Sequence, residues 1–313
     1  MKRIALIGEC MIELNGELFG DMVQKYGGDS LNTALYMSRA SRGDVHIDYM
    51  TAMGEDAVSK GMISKWKEEG INTECVMIDK ERNPGLYLIQ LDKQGERSFL
   101  YWRNNSAARY MVQHPSFPHI IEQLHSYDMV YVSGISLAIL PEADRCHLIK
   151  SLLVLSRSGV KIVFDSNYRA NLWESEEFAR ASYELMYAAS DIALVTDEDE
   201  FMLWNESSSD QTVMRLKNTG LKELVIKRGA EGCEYHNLLT GESEFIPARK
   251  VGTVIDTTSA GDAFNAGYML GMLLGREPFQ CALQGHELAS TVIQYKGAII
   301  PREVDLPIFK EAF

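Results

Sequence analysis

"DMVYVSGISLAILPEADRCHLIKSLLVLSRSGVKIVFDSN" (residues 128–167) decides the fold. It begins and ends with short apolar runs, 128–134 and 161–167, and residues 141–158 between them carry apolar side chains at helical spacing. Continuous runs of this length are typical of strands buried on both faces of a parallel sheet. The alternation recurs along the chain, with strand-like runs at 3–8, 191–196 and 223–229 and helical patterns at 175–189 and 210–219. The sequence therefore predicts an α/β fold with a mainly parallel central sheet and helices on both faces.

Residues 84–103, "PGLYLIQLDKQGERSFLYWR", interrupt this rhythm and predict an antiparallel hairpin around the turn "DKQG". Further strands are predicted at 11–16 and near 22–26. Together these strands predict a small separate sheet that covers a site as a lid, built from about 9–26 and 84–112.

The two faces of the lid follow from the alternation of side chains along each strand. Tyr101 and Arg103 are expected on one face and Trp102 on the other. Tyr87 faces the same way as Tyr101 only if the hairpin loop has five residues (92–96) or a bulge, because a four-residue loop would separate them. The outer face is an apolar surface on which a second copy of the chain could pack, so we expect a homo-oligomer through the lid. This outer face is expected to carry Leu86, Leu88, Phe99 and Trp102.

The composition excludes some classes of partner. The chain has 313 residues, is 46% hydrophobic and carries a formal net charge of −13. Nucleic acids and anionic membranes require a basic surface, so neither is expected as a partner. Any anionic small molecule must be held by a local group of arginines or backbone amides.

The cysteines and the chain start predict a cytoplasmic protein. The apolar run at the start stops at Glu9, which makes it too short for a signal peptide, and no run approaches the ~20 apolar residues of a membrane span. The cysteines form no CxxC pair, so free thiols in a reducing compartment are expected rather than disulfides or a zinc site. They are Cys10, Cys75, Cys146, Cys233 and Cys281.

"DTTSAGDAFNAGY" (256–268) places small residues before a predicted helix. The first amides of a helix have no partner within it and can surround an anion. Asp262 would lie in the first turn. It is either an acid that caps the helix or a base that accepts a proton from a hydroxyl nucleophile.

A second segment, "GGDSLNTALYMSRAS" (27–41), leads from an extended stretch into a helix. Gly27 and Gly28 permit a close approach of the backbone to a ligand, although a plain strand-to-helix turn would use the same residues. Asn32 would lie in the first or second turn of the helix.

The two segments together resemble the signatures of the ribokinase-like (PfkB) sugar kinases, G-G-x-x-x-N-x-A near the start and D-T-x-G-A-G-D near the end. The resemblance covers essentially the whole chain. It implies a three-layer ribokinase-like fold in a single domain (1–313), with ATP and Mg²⁺ as cofactors. It also implies that Asp262 is the general base and that the backbone at Ser259, Ala260 and Gly261 forms an anion hole. A loop within 285–303 would correspond to the one that often holds a monovalent cation such as K⁺ in that family.

The sequence departs from the family pattern at two places. Ser259 stands where the family usually has glycine, which is harmless if that position does not need a positive φ. The family's N-x-x-E segment, which organises magnesium through water, reads Asp197-Glu198-Asp199-Glu200. The resemblance gives Asp197 and Glu200 as outer-shell magnesium residues, while an acidic helix start explains them equally well.

"VIKRGAEGC" (225–233) matches the nucleotide-binding turn of the family, although a hairpin turn would also account for it. The residues implied along ATP are Asn167, Arg169, Lys227, Gly229, Gly232, Ser259 and Gly261.

Two arginines indicate the class of substrate. Arg169 follows a predicted sheet strand, where open α/β sheets bind ligands, and Arg103 lies in the lid. Paired guanidinium groups suit a carboxylate or phosphate, although each arginine taken alone could be an ordinary surface charge. Their segments, "YWRNNSAA" and "SNYRANLW", resemble those of the family's kinases for 2-keto-3-deoxygluconate, a six-carbon keto acid phosphorylated at its 6-hydroxyl. The implied substrate contacts are Gly28, Asp29, Asn32, Tyr87, Tyr101, Arg103, Arg169, Asp256 and Asp262.

Three alternatives remain at this stage. A neutral-sugar kinase of the same fold, such as a fructokinase or ribokinase, would leave the paired arginines without a ligand. A dinucleotide-dependent enzyme would need a G-x-G-x-x-G turn after the first strand, which the sequence lacks. A sugar sensor without activity would not need an intact Asp262. The sequence does not separate 2-keto-3-deoxygluconate from its galactonate epimer.

Overall fold

Thirteen strands form in the part of the chain that a computed structural model describes, residues 1–91 and 97–307. The predicted turn "DKQG" lies outside these residues. The strands are β1 (Lys2–Ile7), β2 (Met11–Gly16), β3 (Met22–Gly27), β4 (Val45–Gly54), β5 (Val76–Asp79), β6 (Leu86–Leu91), β7 (Arg97–Trp102), β8 (Met129–Ser133), β9 (Lys161–Asp165), β10 (Ile192–Thr196), β11 (Glu223–Lys227), β12 (Gly232–Asn237) and β13 (Ser243–Pro247).

Ten α-helices and two short 3₁₀ helices accompany the strands within the described residues. The 3₁₀ helices span Ala107–Gln113 and Ala170–Leu172. The α-helices are α1 (Asp29–Ser41), α2 (Ala57–Glu68), α3 (Phe117–Leu124), α4 (Gly134–Ala138), α5 (Glu142–Arg157), α6 (Glu176–Ala189), α7 (Asp197–Trp204), α8 (Ser209–Leu216), α9 (Ala260–Leu273) and α10 (Pro278–Val292).

Nine strands form the central sheet, in the order β13-β12-β11-β10-β9-β8-β1-β4-β5. All neighbours are parallel except β11–β12 and β12–β13. The stretch 128–167 becomes β8, helices α4 and α5, and β9, and the predicted parallel pairing is confirmed by a register that aligns Met129 with Lys161. The order in which the chain adds strands reverses between β8 and β1, because β4 and β5 extend the sheet on one side of β1 and β8 to β13 extend it on the other. A ligand site is expected at the carboxyl ends of the strands there.

Helices cover both faces of this sheet, as the continuous apolar runs predict. Along β1, Ile4 and Leu6 pack into one hydrophobic core, and Ala5 and Ile7 pack into the other. The first core includes residues of α1, α9 and α10, and the second includes residues of α5 and α6. The three-layer α/β architecture is therefore confirmed.

The remaining four strands form the predicted small sheet, in the order β3-β2-β6-β7. Leu91 pairs with Arg97, so five residues separate the hairpin strands, and Tyr87 lies directly opposite Tyr101 as expected for that length. Two details of the prediction are wrong. Phe99 shares the face of Tyr101 instead of the outer face, because the two are two residues apart on one strand. The segment after β7 does not extend the lid to residue 112, because Ala107–Gln113 packs into the main core.

No helix among residues 1–91 and 97–307 is both long and apolar enough to cross a membrane. All five cysteines are free thiols.

Candidate active site

A cleft of about 540 Å³ opens at the carboxyl ends of the central strands, under the lid. Twelve of the predicted site residues line it: Gly28, Asp29, Asn32, Tyr87, Tyr101, Asn167, Arg169, Lys227, Ser259, Ala260, Gly261 and Asp262. These residues come from opposite ends of the sequence and from both sheets, and the fold brings them around one space.

Asp262 lies in the first turn of α9 and is held by α1. The side-chain amide of Asn32 donates to Oδ2 of Asp262 over 3.0 Å and to Oγ of Ser259 over 2.9 Å. This pairing joins the two sequence signatures in space, across 230 positions of the chain. The N-cap residue of α9 is Ser259 and Asp262 is the third residue inside the helix, so an N-cap role does not account for its position.

The start of α9 offers two unpaired amides to an anion. The amide of Ala260 already donates to the carbonyl of Thr257, so it is not available to a ligand, contrary to the role implied for Ala260. The amides of Gly261 and Asp262 have no backbone partner within the described residues. These two amides, with the positive end of the helix dipole, can hold a negatively charged oxygen.

Ser259 has φ 63° and ψ 13°, the left-handed conformation that glycine adopts without cost. The condition under which serine would be harmless here, that position 259 needs no positive φ, is therefore not met. The hydrogen bond from Asn32 to the Ser259 hydroxyl helps to offset the strain of about 1–2 kcal/mol. Serine thus gains a contact with the other signature that glycine cannot make.

Several charges set the proton affinity of Asp262. Burial raises its pKa to about 7, and the negative charges of Asp29 and Asp165 add to the rise. Hydrogen bonds from Asn32 and Ser259 stabilise the ionised carboxylate and oppose the rise. A carboxylate with this pKa can take up a proton near neutral pH, as a general base must.

Lys227 is the buried cation of the cleft. Its Nζ contacts Oδ1 of Asp165 and Oδ1 of Asn265, each over 3.1 Å. Asn265 also donates to the other oxygen of Asp165, so the amine is held from two sides. A Cβ atom added at Gly261 would lie 3.9 Å from Nζ, which places the ammonium group beside the open amides of α9.

The side chain of Asp29 is hydrogen-bonded to residues at the carboxyl ends of β8 and β9. Its Oδ2 accepts from the Ser133 hydroxyl and from the Asn167 side-chain amide. The neighbouring Gly28 is required by packing, because a Cβ there would lie 2.1 Å from the carbonyl oxygen of Glu9.

The lid contributes an aromatic wall. The rings of Tyr87 and Tyr101 lie 6.0 Å apart, and Phe99 stacks on Tyr101 at 6.3 Å. The hydroxyl of Tyr87 donates to Glu13 on the neighbouring strand. Opposite the wall, Nη1 of Arg169 donates to Oδ1 of Asp199 over 3.1 Å.

Some predicted site residues lie elsewhere. Arg103 is not among the described residues that line the cleft, because its guanidinium group pairs with buried Glu9. Asp256 accepts from the amides of Thr258 and Gly297, so it fastens the loop after α10. Gly229 and Gly232 have φ of 52° and 136° and shape the hairpin between β11 and β12, and neither is described as lining the cleft.

The two acidic residues implied for magnesium at the start of α7, Asp197 and Glu200, do not line the cleft. Glu200 is fully buried, and its oxygens accept from Tyr187 and Arg215, so it cannot organise a metal in the cleft. Asp197 is not among the described lining residues either, whereas Glu198 and Asp199 are. Because each residue along a helix is rotated by about 100°, the four consecutive acids point in different directions, and of these Glu198 and Asp199 line the cleft.

Three polar residues of the site were not predicted from the sequence: Asp165, Asp199 and Asn265. Asp165 ends a buried parallel strand, which is a usable signal for a ligand site. Asn265 lies three positions after Asp262 on α9, within the apolar part of that helix, where a buried amide also calls for an explanation.

Known proteins resemble this chain in sequence and in fold. A family model described as "pfkB family carbohydrate kinase" matches residues 1–305. The chain belongs to the pfkB family of carbohydrate kinases. A 2-dehydro-3-deoxygluconokinase of Haemophilus influenzae is 49% identical to this pfkB kinase over 303 residues, which cover 96% of each chain. One of Dickeya dadantii is 46% identical over 306 residues, covering 96% of this chain and 98% of that one.

Fructokinases are more distant pfkB relatives. The fructokinase of Vibrio alginolyticus is 26% identical over 298 residues, which cover 94% of this chain and 90% of that protein. Among solved structures, a fructokinase of Vibrio cholerae with fructose, ADP and calcium bound has a TM-score of 0.80 at 19% identity and covers 95% of this chain and 94% of its own. At that identity the structural match establishes the shared fold.

Proposed function

We propose that this pfkB kinase phosphorylates the 6-hydroxyl of 2-keto-3-deoxygluconate, also called 2-dehydro-3-deoxygluconate, with ATP. The observation that carries the proposal is Asp262, a carboxylate with a pKa of about 7 beside two unpaired amides at the start of α9. The names of the relatives at 46–49% identity over almost the whole chain support the keto acid as the acceptor. The products are the 6-phosphate and ADP.

In the proposed mechanism, the oxygen of the 6-hydroxyl bonds to the γ-phosphorus of ATP while Asp262 accepts the proton of that hydroxyl. The bond from that phosphorus to the β,γ-bridging oxygen breaks, and ADP leaves. The amides of Gly261 and Asp262 stabilise the charge on the transferring group, and Lys227 adds a positive charge beside them. These contributions need no movement at the moment of reaction, because the groups are already fixed by Asn32, Asp165 and Asn265.

ATP and Mg²⁺ are the proposed cofactors, with the nucleotide reaching the cleft past Asn167, Arg169 and Lys227. Among the described residues no group of three or more acidic, histidine or cysteine side chains could hold a metal ion. The ion would therefore take most of its ligands from phosphate and water, as Mg²⁺ commonly does, with Glu198 and Asp199 nearby in the cleft. Bound there, it would neutralise phosphate charge. A monovalent cation such as K⁺ would bind in the loop that includes Gly297, whose amide donates to Asp256.

The proposed function is tested by comparing rates with different substrates. We expect ADP release with 2-keto-3-deoxygluconate or its galactonate epimer to exceed greatly that with fructose, ribose or adenosine. The assay couples ADP formation to a spectroscopic signal at matched substrate concentrations, and magnesium omission should abolish the rate. A preference for fructose would overturn the keto acid and favour a neutral-sugar kinase of the same fold.

Arg169 is the proposed carboxylate contact that lies in the cleft itself. Arg169→Met should raise KM for the keto acid about 10- to 150-fold, since a charge-assisted hydrogen bond contributes about 1.5–3 kcal/mol. Because the carboxylate is remote from the 6-hydroxyl, kcat should change little. Steady-state kinetics with the acid and with an analogue reduced to the alcohol separate these effects. An equal loss with the neutral analogue would count against carboxylate recognition.

The pKa of Asp262 predicts the acid limb of the activity profile. The base accepts a proton only when ionised, so kcat/KM should fall as the pH drops below about 7. Asp29→Asn removes a negative charge that raises this pKa, so it should move the limb to lower pH. Initial rates across the pH range, at fixed magnesium, measure the limb in both proteins. Identical limbs would contradict the influence of Asp29 on the base.

We further propose one cytoplasmic kinase domain that assembles through its lid. The free thiols favour a reducing compartment. The outer face of the lid leaves Leu100 and Trp102 exposed to 43% and 59%. Two such faces could cover each other in a homo-oligomer.

A further inference from the structure

A buried ion pair lies where the lid joins the central sheet. Glu9 follows β1, and Arg103 follows β7, the last lid strand. Nη2 of Arg103 donates to Oε2 of Glu9, and the side chains are only 9% and 1% exposed. Burying two charges costs about as much free energy as their attraction returns, so stability alone is a weak reason for such a pair.

Packing fixes both members of this pair. A Cβ at Gly85 would lie 2.8 Å from Oε1 of Glu9 and 3.1 Å from Cβ of Arg103. The carbonyl of Glu9 approaches Gly28 so closely that no side chain fits there. Glu9 is therefore wedged between the start of β6 in the lid and the start of α1, which carries Asn32.

The ion pair with Glu9 leaves hydrogen-bond donors of the Arg103 guanidinium group without a partner among the described residues. A guanidinium group can bind a carboxylate through two parallel hydrogen bonds, but the described contact uses one nitrogen and one oxygen. Nε of Arg103 and Oε1 of Glu9 are buried without hydrogen-bond partners among the described residues. A second carboxylate could therefore bind the guanidinium group without displacing Glu9.

The charge of Arg103 also reaches the cleft. Burial raises the pKa values of Asp29 and Tyr101, and the positive charge of Arg103 opposes both shifts. The guanidinium carbon lies 5.8 Å from the centre of the Tyr101 ring, which lines the cleft. The guanidinium group of Arg103 thus lies beside Tyr101 of the aromatic wall.

We propose that Glu9 is a positioning residue for recognition of the substrate carboxylate. It holds Arg103 beside Tyr101 by one hydrogen bond and leaves the rest of the guanidinium group to the sugar acid. This inference rests on the proposed function and adds to it a residue that does not itself touch the substrate.

Glu9→Gln tests the proposal, because it keeps the size of the side chain and removes the charge. We expect KM for 2-keto-3-deoxygluconate to rise about tenfold, the equivalent of about 1.4 kcal/mol, with kcat within about twofold. KM for the analogue reduced to the alcohol should not change, which a merely structural role would not predict. Glu69→Gln is the matched control, since it removes the charge from a partly buried pair elsewhere, Arg39–Glu69, and should leave both KM values unchanged.

A double-mutant cycle then identifies the partner. In the Arg103→Met background, Glu9→Gln should have no further effect on KM, because the group that it positions is gone. Glu9→Asp keeps the charge but shortens the side chain, and it should raise KM as well, which keeps the test available if the glutamine variant does not fold. An unchanged or lowered KM in the glutamate variants would overturn the proposal. A wild type that does not phosphorylate the keto acid would instead overturn the proposed function.

Discussion

Asp262→Asn should lower kcat by about 10²- to 10⁴-fold, the usual cost of removing a general base. Asparagine keeps the shape of the side chain and the oxygen that accepts from Asn32, so the site should retain its geometry. The affinity for ATP should therefore change little. Steady-state kinetics and nucleotide binding on the same preparation measure both quantities.

Stability separates the catalytic role of Asp262 from a capping role. The folded-state pKa of about 7 lies above the ordinary value of 3.8, so above pH 7 the ionised group disfavours folding, and this cost disappears in asparagine. The melting temperature of Asp262→Asn at pH 8 should thus be no lower than that of the wild type. Asp56, which caps α2 by accepting from Val58 and Ser59, supplies the contrast. Asp56→Ala should lose about 1 kcal/mol of stability and keep its kcat.

Near-normal turnover in Asp262→Asn would exclude Asp262 as the general base. A large loss of both stability and turnover would instead indicate that the residue holds α9 in place.

Gly261→Val should lower kcat by about 10²- to 10³-fold, the typical cost of losing one donor to the charge that develops in the transition state. Apart from its chain neighbours and the nearby backbone of its own helix, the nearest described atom to a Cβ at this position is Nζ of Lys227, 3.9 Å away. The added methyl groups should therefore leave the fold intact and obstruct the transferring phosphate. Rates of ADP release and the melting temperature together test this expectation.

Gly261→Ala is the matched control. Alanine in a helix is favoured over glycine by about 1 kcal/mol, so this variant should be somewhat more stable while it turns over more slowly than the wild type. The loss of rate should grow from alanine to valine with the volume added beside the amide. Full activity in the valine variant would mean that the phosphate does not approach the start of α9.

Local patterns in the sequence were sufficient to predict the architecture of this protein. Short apolar runs separated by helical patterns can bury their side chains only in a parallel sheet with helices on both faces, and β8, α5 and β9 formed as expected. Alternation along the strands likewise set the condition for Tyr87 and Tyr101 to share a face, five residues between the strands or a bulge, and the observed register meets it. The two glycine-containing signatures also indicated which helix starts would meet.

Tertiary packing decided the contacts of individual side chains. Whether Asp199 or Glu200 faces the cleft depends on the phase in which α7 docks, and one residue turns a side chain by about 100°. The sequence placed Arg103 in the lid, but its buried partner Glu9 lies 94 positions away and is reached only when the lid folds against the central sheet. The positive φ of Ser259 is set by the entry of the chain into α9 and by Asn32 of α1. Local patterns determine which surfaces are apolar and where backbone groups lack partners, but charges and hydrogen bonds pair over a few ångströms between segments far apart in sequence, so only the folded chain selects the partners.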